Sequence, residues 1–421
     1  MKMKLPLAIK NISSIVQGNI VGGAVRDHFL GRDIYDYDIS TPMLPEAVIE
    51  ILKENGYTPI LTGVKYGTVS VNVRGMKTPV EITTYRSEFY SKEKGRFPDV
   101  AFHINRNNDL MRRDFTINSI AYDPRTGQFI DPNNGIADIQ NRIIRFVGNG
   151  SERIREDPLR SIRACRIASN LSFTIDEGTS ASIISNAYLL STLSQDRLVM
   201  EIRKSGIHRS FLQNLMAHGL MEYVFGHNFN TTTTTFHDSR GSHHGESVWQ
   251  HTLNAMDRCN YITSTDLALK LAVLFHDTGK PSTRTSNNGK IQFLNHEAIS
   301  ASIFMASVGS YAGLEKGIKR EVEFLIQNHM LFPQLTTNRS IIRHTIEWKM
   351  AGIPYPVLHN LGKLAFCDRG ISFGNILSKM EKVWIVDRPD GNLFLKYPER
   401  NRKEMIRQAW IDKVHQEGVL Q

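Results

Sequence analysis

Along the first 150 residues, the spacing of hydrophobic positions alternates between strand-like and helix-like segments. Four short runs rich in Val, Ile, Thr or Tyr and bounded by Gly or Pro are predicted strands: residues 19–22, 35–40, 67–73 and 80–85. Between the second and third runs, the apolar residues of 44–55 fall on one side of a predicted helix that Gly56 ends. The pattern therefore predicts an α/β or α+β unit.

After about residue 150 the strand patterns stop, and residues 151–209 are predicted to form successive helices, with Pro158 in a first turn. Five threonines and a stretch rich in His, Ser and Gly then indicate a linker. Helical patterns resume at residue 248. We predict a head over 1–148, a helical neck and body over 149–230, a linker over 231–247 and a helical domain over 248–421.

Composition narrows the class of protein. A length of 421 residues fits two or three domains, and the hydrophobic share of 41% argues against wholesale disorder. A surplus of 51 Lys and Arg over 42 Asp and Glu gives a net charge of +9, which suits a polyanionic partner. Cys165, Cys259 and Cys367 form no C-x-x-C pair, which indicates a reducing compartment. With neither a signal peptide nor a long apolar run, we predict a soluble cytoplasmic protein.

A glycine pair in the head is the first candidate for chemistry. Gly22 and Gly23 follow a predicted strand, where they allow the backbone to turn tightly and approach a phosphate. Their amides would open a helix, where an anion is favoured. Arg26 would then lie in the first turn and pair with a triphosphate oxygen. The alternative is an ordinary strand–turn–helix with a surface arginine.

Asp36 and Asp38 alternate on the strand predicted over 35–40, so their carboxylates should face one side. Like charges this close repel unless a cation lies between them, and hard oxygen ligands suit Mg²⁺. Such metals can hold the attacking hydroxyl and the leaving phosphate of a nucleotidyl transfer. Glu81, on another predicted strand, is a third carboxylate that would complete the site. Solvated loop aspartates and a half-exposed strand glutamate are the alternatives.

Arginines dominate the region between head and neck. Arg112 and Arg113 can neutralise phosphate, and Asp114 can accept a hydrogen bond from a ribose hydroxyl. Further along, seven arginines occur within 25 residues: Arg142, Arg145, Arg153, Arg155, Arg160, Arg163 and Arg166. A solvated ladder of ion pairs is the alternative for this run.

Spacing suggests a more specific role for part of this run. On one helix, Asp157, Arg160 and Arg163 would form a stripe. Cytosine and adenine present an amine donor beside a ring acceptor, whereas uracil and guanine present the reverse. Because a carboxylate only accepts and a guanidinium only donates, Asp157 beside Arg160 would match C and A. A mismatched base would leave buried polar groups unpaired.

The C-terminal region carries a second set of candidate ligands, in which imidazole and carboxylate groups together suit a transition metal or Mg²⁺. His251 lies 25 residues before the adjacent pair His276 and Asp277. Asp368, His296 and His329 follow further along the chain. The alternative is that these histidines are packed core residues.

Four motifs occur in order: Gly22-Gly23-x-Val25-Arg26-Asp27, Asp36-x-Asp38, Arg112-Arg113-Asp114 and Glu156-Asp157-x-x-Arg160. Together they resemble the class II tRNA nucleotidyltransferase and poly(A) polymerase family over about residues 18–210. The His and Asp pattern resembles the HD phosphohydrolase superfamily and extends to about residue 370. The resemblance implies an α+β fold, with a polymerase β-like head and mixed sheet, an all-α neck and body, and an all-α HD-type domain.

The family resemblance implies template-independent addition of CMP and AMP, from CTP and ATP, to the 3′ end of tRNA. Asp36, Asp38 and Glu81 would be catalytic, with Mg²⁺ on the two aspartates. The nucleotide-binding residues would be Gly22, Gly23, Arg26, Arg112, Arg113, Asp114, Asp157, Arg160, Arg163 and Arg166. In the family, the counterparts of Asp157 and Arg160 act as a protein template for the incoming base. The protein would act as a monomer or homodimer, without a membrane partner.

Other segments also resemble family motifs. Residues 85–99 are similar to a flexible loop that CCA-adding enzymes use when they change from C to A. Residues 131–138 resemble a hinge between head and neck, and residues 194–197 with Glu201 resemble a helix-stabilising motif. A poly(A) polymerase or an enzyme that adds only A is the alternative within the family.

The HD resemblance implies a divalent metal (Mg, Mn or Ni) bound by His251, His276, Asp277 and Asp368. A second metal would use His296 and His329. A metal-activated water would attack a 2′,3′-cyclic phosphate or a phosphomonoester, as in the repair of damaged RNA ends. An HD phosphohydrolase whose head merely binds RNA is the second alternative.

Overall fold

The computed structural model describes residues 2–89, 99–102, 105–237, 245–263, 265–288, 290–389 and 401–420. The chain forms two compact units. The first contains Met1–Leu193 and Asn214–Leu220, and the second contains Ser194–Gln213 and Met221–Gln421. Residues from the predicted neck enter both units, and the domain boundaries at 148, 230 and 247 stay predictions.

A seven-stranded mixed sheet organises the first unit, in the order β3-β4-β5-β2-β1-β8-β9. Its strands are β1 (Asn19–Val21), β2 (Asp38–Thr41), β3 (Pro59–Ile60), β4 (Thr68–Val71), β5 (Val80–Thr84), β8 (Ala121–Asp123) and β9 (Gln128–Ile130). β2 runs antiparallel to β1 and parallel to β5. A separate antiparallel hairpin joins β6 (Arg86–Phe89) and β7 (Asp99–Phe102).

Short helices flank the sheet and continue after it. They are α1 (Leu7–Ile15), α2 (Gly23–Phe29), α3 (Pro45–Glu54), α4 (Arg106–Met111), α5 (Gly135–Asn141), α6 (Gly150–Glu156), α7 (Leu159–Leu171) and α8 (Glu177–Ser185). In α3, Pro45 occupies the first turn and the buried Val48 and Leu52 lie one turn apart on the face toward the sheet. The predicted helix over 44–55 is therefore confirmed to within one residue at each end.

The strand predicted over 35–40 is wrong at its start, because β2 begins only at Asp38. The neighbouring β1 ends at Val21, which pairs with Asp38, and Gly22 then turns the backbone away with φ +71°. Residues before Asp38 consequently have no antiparallel partner there. Asp36 lies in the preceding loop, with its side chain exposed to solvent.

Helices make up most of the second unit. They are α9 (Gln195–Ser205), α10 (Arg209–Ala217, shared with the first unit), α11 (Met221–Phe225), α12 (Asn230–Thr234), α13 (Val248–Ile262), α14 (Leu267–Phe275), α15 (Lys280–Thr283), α16 (His296–Ala306), α17 (Lys316–Asn328), α18 (Asn338–Met350), α19 (Tyr355–Arg369), α20 (Gly374–Trp384) and α21 (Arg402–Gln416). α14 is buried along its whole length after Leu267 and packs against α13, α17 and α19. α18 packs with α20 and α21 around Ile346, Val383 and Trp410.

The expectation that strands stop near residue 150 is wrong at two places. β10 (Ile143–Ile144) pairs in parallel with β11 (Thr174–Ile175). In the second unit, β12 (Arg284–Asn287) and β13 (Lys290–Phe293) form an antiparallel hairpin. The Asn-Gly sequence at 288–289 is a strong hairpin signal that the helical pattern around it concealed.

Much of the predicted linker is structured. Residues 230–234 form α12, and a backbone bridge joins Phe236 to Ser247. The side chains of Thr235 and His237 are buried. Residues 238–244 of the predicted linker lie outside the described residues. So do residues 90–98, which belong to the segment 85–99 that resembles a flexible loop of CCA-adding enzymes.

All three cysteines are buried free thiols. In the described part of the chain, no helix has both the length and the apolar composition needed to span a bilayer.

Candidate functional site

Three head carboxylates lie around the start of β2. Asp38 is in register with Glu81 on the parallel strand β5, so these two residues are direct neighbours. Asp36 precedes them in the loop, where Thr78 Oγ1 donates to its Oδ1 over 3.1 Å. Burial, with the negative charges of Asp36 and Glu81, raises the pKa of Asp38 to about 6 against the opposing effect of Arg113. A divalent cation would remove this repulsion, so the donor set fits Mg²⁺.

Gly22 allows these groups to approach the backbone. Its φ of +71° lies in the region that favours glycine. A Cβ at this position would lie 3.1 Å from Asp38 Oδ2 and 3.5 Å from Arg113 Nη1. The turn therefore brings a carboxylate and a guanidinium against bare backbone, and α2 begins directly after it at Gly23.

A chain of hydrogen bonds joins the glycine turn to α7. Arg26 Nη1 donates to Asn118 Oδ1 over 2.9 Å, and Asn118 Nδ2 donates to Asp114 Oδ1 over 3.1 Å. Arg163 Nη2, on α7, donates to Asp114 Oδ2 over 2.6 Å. Burial would raise the pKa of Asp114, but Arg163 and Asn118 lower it below its ordinary value. Asp114 thus positions Arg163, besides its predicted contact with a ribose.

A second buried carboxylate holds the arginine pair. Asp109 is inaccessible to solvent and accepts from Arg112 Nε over 2.9 Å and from Arg113 Nη2 over 3.3 Å. Burial would raise the pKa of Asp109, but the two guanidinium groups outweigh burial and lower it. We did not predict this residue, although its spacing of three and four residues from the arginines is the usual spacing of helical ion pairs.

Some of these side chains line a cavity in the first unit with a volume of about 350 Å³. Its lining residues are Arg86, Arg112, Arg113, Asp114, Asp157, Arg160 and Arg163. Six of them were predicted, and Arg86 was missed as a site residue. Arg166 does not line this cavity. With five arginines against two aspartates, the cavity suits an anionic ligand that also offers hydrogen-bonding groups.

The predicted helical stripe of Asp157, Arg160 and Arg163 needs correction. Asp157 lies between α6 and α7 with ψ of 101°, because Pro158 disfavours helical backbone in the residue before it. The Asp157 carboxylate accepts a hydrogen bond from the amide of Leu159, the first residue of α7, over 3.1 Å. Arg160 Nη1 bonds to Glu156 Oε2 over 2.6 Å. Asp157 and Arg160 both line the cavity, but Asp157 does so from the break between α6 and α7, whereas Arg160 lies on α7.

In the second unit, the six predicted metal ligands come together in two groups of three, each with its ligand atoms within 4.8 Å of one another. The groups are His251, His276 and Asp368, and Asp277, His296 and His329. All six residues are buried. Elements far apart in sequence supply them: α13, the end of α14, the start of α16, the end of α17 and α19.

The first group is joined by short contacts. His251 Nε2 lies 2.8 Å from Asp368 Oδ1 and 3.4 Å from His276 Nε2. Burial would lower the pKa of His276, but Asp277 and Asp368 outweigh burial and raise it to about 10. The two carboxylates therefore favour a positive charge at the centre of the cluster, and a divalent cation would supply it.

Asp277 connects the two groups. Its Oδ2 lies 3.3 Å from His276 Nε2, and its Oδ1 lies 3.2 Å from His296 Nε2 and 3.8 Å from His329 Nε2. Oδ1 is buried and has no hydrogen-bond partner among the described residues. Burial and the charge of His276 lower the pKa of His329 to about 3, which leaves this imidazole neutral as a metal ligand must be. The residues fit two cations that share Asp277.

Lys280 is a neighbouring group that we did not predict. Its Nζ donates to Asp277 Oδ2 over 2.6 Å and lies 2.9 Å from His237 Nε2. Lys280 is 8% exposed, so a buried cation accompanies the carboxylate. Its position three residues after Asp277 was the available sequence signal.

Two family models match segments of this chain, one in the head and one after it. Residues 19–145 match the family model described as the poly A polymerase head domain, and residues 172–227 match the model described as a probable RNA and SrmB-binding site of polymerase A. The chain is 39% identical over 221 residues to the CCA-adding enzyme of Lactobacillus delbrueckii subsp. bulgaricus, which is 52% of this chain and 54% of the relative. It is 44% identical over 184 residues to that of Geobacillus kaustophilus, covering 44% of each. The chain thus spans about half the length of these curated relatives.

Similarity of fold extends further. The crystal structure of the Bacillus stearothermophilus CCA-adding enzyme in complex with CTP is 25% identical, with a TM-score of 0.68, and the match covers 99% of this chain and 94% of that one. A Thermotoga maritima CCA-adding enzyme complexed with tRNA has the same fold at 16% identity, with a TM-score of 0.59 over 96% and 94% of the two chains.

Together, these matches show that part of the chain is similar to the poly A polymerase head domain and to CCA-adding enzymes. The predicted fold class, a polymerase-type head with a mixed sheet followed by a helical body, is confirmed. The HD-type identity of the C-terminal domain stays a prediction.

Proposed function

We propose that this protein is a CCA-adding nucleotidyltransferase that transfers CMP and AMP, from CTP and ATP, to the 3′ end of tRNA. The observation that carries the proposal is the arginine-lined cavity in the same unit as the carboxylates of Asp36, Asp38 and Glu81. The similarity of the head to CCA-adding enzymes supports the same reaction. A cytoplasmic location accompanies the proposal.

In this reaction, the 3′-hydroxyl of the RNA attacks the α-phosphate of the nucleotide, and pyrophosphate leaves. Mg²⁺ held by Asp36 and Asp38 would supply charge neutralisation for this phosphoryl chemistry. Glu81 would add a third oxygen donor from the neighbouring strand. Arg26 and the turn at Gly22 and Gly23 would meet the charge of the triphosphate.

The cavity would hold the nucleotide so that its base can be read. Arg112 and Arg113 would bind phosphate, with Asp109 fixing their direction. Asp157 would accept from the amine of C or A, and Arg160 would donate to the ring nitrogen. Arg163, held by Asp114, would contact the sugar or phosphate from the same wall. Arg166 would contribute from a neighbouring position on α7.

A direct test is to offer a tRNA that lacks its terminal CCA to the purified protein, with CTP alone, ATP alone, or both. We expect two C residues from CTP alone and a complete CCA end from both nucleotides. A long A tail from ATP alone would instead identify the alternative poly(A) polymerase, and a single A added only to a CC end would identify an A-adding enzyme. No incorporation under any condition would refute the proposal.

We further propose that the C-terminal cluster is a metal-dependent phosphohydrolase site for a 2′,3′-cyclic phosphate or phosphomonoester. The specific observation is the buried convergence of the two ligand groups, with Asp277 between them. His251, His276, Asp277 and Asp368 would hold one divalent cation, and His296 and His329 would hold the other together with Asp277. The bound metals would supply a hydroxide nucleophile.

The hydrolase proposal is tested with a 2′,3′-cyclic nucleotide on metal-free protein, before and after addition of Mg²⁺, Mn²⁺ or Ni²⁺. Activity should appear only with metal and should be lost in His276→Ala, while CMP incorporation by the head persists. Equal hydrolysis with and without metal would contradict it. Hydrolysis without any nucleotide incorporation would favour the second alternative, a phosphohydrolase whose head only binds RNA.

A further inference from the structure

Among the four histidines predicted as metal ligands, His251 differs from the other three in the hydrogen-bond partner of its Nδ1 atom. His251 Nδ1 lies 3.3 Å from the Oε1 atom of Glu246, a carboxylate. The Nδ1 atoms of His276, His296 and His329 instead lie 2.7–2.8 Å from backbone carbonyls one turn earlier in the chain. All four rings therefore turn Nε2 toward the cluster, and His251 differs from the other three because its Nδ1 hydrogen-bond partner is a carboxylate and not a backbone carbonyl.

Several contacts hold Glu246 in this position. Asn254 Nδ2 donates to Glu246 Oε2 over 2.9 Å. Asn254 is held in turn by Gln250, one turn earlier on α13, whose Nε2 donates to Asn254 Oδ1 over 2.9 Å. The Glu246 carbonyl accepts from the His237 amide over 3.0 Å, within the backbone pairing that includes the bridge from Phe236 to Ser247. Both the backbone and the carboxylate of Glu246 are thus fixed relative to α13.

A carboxylate behind an imidazole has a known effect on metal binding. The carboxylate accepts a hydrogen bond from Nδ1–H, which fixes the tautomer that has a free electron pair on Nε2. Its negative charge also makes Nε2 a stronger electron-pair donor to a cation than a backbone carbonyl partner would. Removal of such a partner typically costs about 10–100-fold in metal affinity. His251 belongs to the group with His276 and Asp368, so the effect should be confined to one of the two ligand groups.

We propose that Glu246 is a positioning residue that orients His251 and strengthens the metal site formed by His251, His276 and Asp368. The inference rests on the proposed metal-binding function of the C-terminal cluster. It makes the two sites unequal, with Glu246 supporting the first and not the site that contains His296 and His329.

The second unit provides a matched control. Glu297 Oε2 lies 3.6 Å from His296 Nδ1, a distance similar to that between Glu246 and His251. The His296 nitrogen, however, already donates to the Phe293 carbonyl over 2.7 Å. The two glutamate side chains are also similarly accessible, at 24% for Glu246 and 28% for Glu297. Glu297→Gln therefore removes a comparable charge without removing the hydrogen bond to the ring.

The experiment is calorimetric titration of the metal-free, full-length chain with Mn²⁺, in which every protein also carries Asp36→Ala and Asp38→Ala so that the proposed head site binds no ion. The chain that is otherwise wild type should bind two ions. Glu246→Gln should bind one ion with about 10–100-fold lower affinity and the other unchanged. Glu297→Gln should keep both wild-type affinities, and Glu246→Asp, which retains a carboxylate, should recover part of the lost affinity. Electron paramagnetic resonance at two equivalents of Mn²⁺ should show a spin-coupled pair in the otherwise wild-type chain and isolated ions in Glu246→Gln.

Two wild-type affinities in Glu246→Gln, or an equal loss in Glu246→Gln and Glu297→Gln, would overturn the assignment. An otherwise wild-type chain that binds no Mn²⁺ would overturn the proposed metal site itself, which separates failure of the function from failure of the inference. Unfolding of the metal-free proteins, followed by tryptophan fluorescence, checks that the variants fold alike, because all four tryptophans belong to the second unit.

Discussion

Asp109→Asn should destabilise the first unit substantially, because one buried carboxylate holds two arginines. The Asp109 side chain is inaccessible, while Arg112 and Arg113 are 18% and 17% exposed. Breaking a buried ion pair from one side costs about 3–5 kcal/mol, and the residual exposure of the arginines places the expected cost near the lower end, at about 3 kcal/mol. The asparagine amide would also direct a donor at two guanidinium groups that can only donate. We expect weaker CTP binding as well, because both arginines line the cavity.

The matched control is Asp123→Asn. Asp123 also pairs with an arginine, Arg125, but that arginine is 43% exposed and lies outside the cavity, so the expected cost is about 1 kcal/mol or less. Native-state hydrogen exchange of peptides from the first unit measures the loss of stability that each substitution causes. Tryptophan fluorescence should stay unaffected, because the tryptophans at 249, 348, 384 and 410 lie in the second unit. Equal costs for the two substitutions would refute the reasoning.

The lowered pKa of Asp109 determines how the difference in stability between the wild type and Asp109→Asn depends on pH. A carboxyl whose pKa is lower in the folded than in the unfolded protein stabilises the fold fully above its unfolded pKa of about 4. That contribution is lost as the pH falls through the lower, folded value. The stability gap between wild type and Asp109→Asn should therefore be constant from about pH 8 to pH 5 and shrink only under more acidic conditions.

Three further predictions concern selectivity and metals. Asp157→Ala should reduce the preference for CTP over UTP by about 5–150-fold, the equivalent of about 1–3 kcal/mol for an unpaired buried group, as measured by the ratio of kcat/KM values. Substitution of His296 and His329 together by Ala should lower the bound metal by one ion per chain relative to the wild type, as measured by elemental analysis. Chelation of metal should lower the melting midpoint reported by tryptophan fluorescence, since a ligand at 100 times its Kd stabilises by about 2.7 kcal/mol; an unchanged midpoint would argue against metal binding in the folded state.

Local sequence spacing predicted the residues that lie close together in the chain. Gly22, Asp38, the arginine pair and the adjacent His276 and Asp277 were all identified in this way, since each motif is short. The resemblance to HD phosphohydrolases also named every member of the two ligand groups. Spacing could not show, however, that Asp277 connects these groups, because that depends on the packing of α14, α16 and α17.

Register and helix boundaries limited the prediction of the head. Asp36 was placed on β2 because residues 35–40 have a strand-like composition, but the length of β1 determines where pairing can start. Asp157 was placed on a helix because its spacing to Arg160 is helical, but Pro158 ends that continuity. In both cases a neighbour in sequence or space overrides the local preference.

Residues that act by holding other residues were the hardest to predict. Asp109 and Glu246 have ordinary positions in the sequence, and their importance lies in the groups they contact. Glu246 and His251 are only five residues apart, yet the contact requires the turn into α13 that follows Ser247. His251 and Asp368, which are 117 positions apart, meet only because α13 packs on α19.

The most direct test of the central claim is the length of the product formed on a tRNA that lacks its CCA end, with CTP and ATP both present. We predict extension by three nucleotides and then arrest, with no extension by the double variant Asp36→Ala, Asp38→Ala, although that variant still binds tRNA. Full extension by the double variant, or the absence of any extension by the wild-type protein, would contradict it.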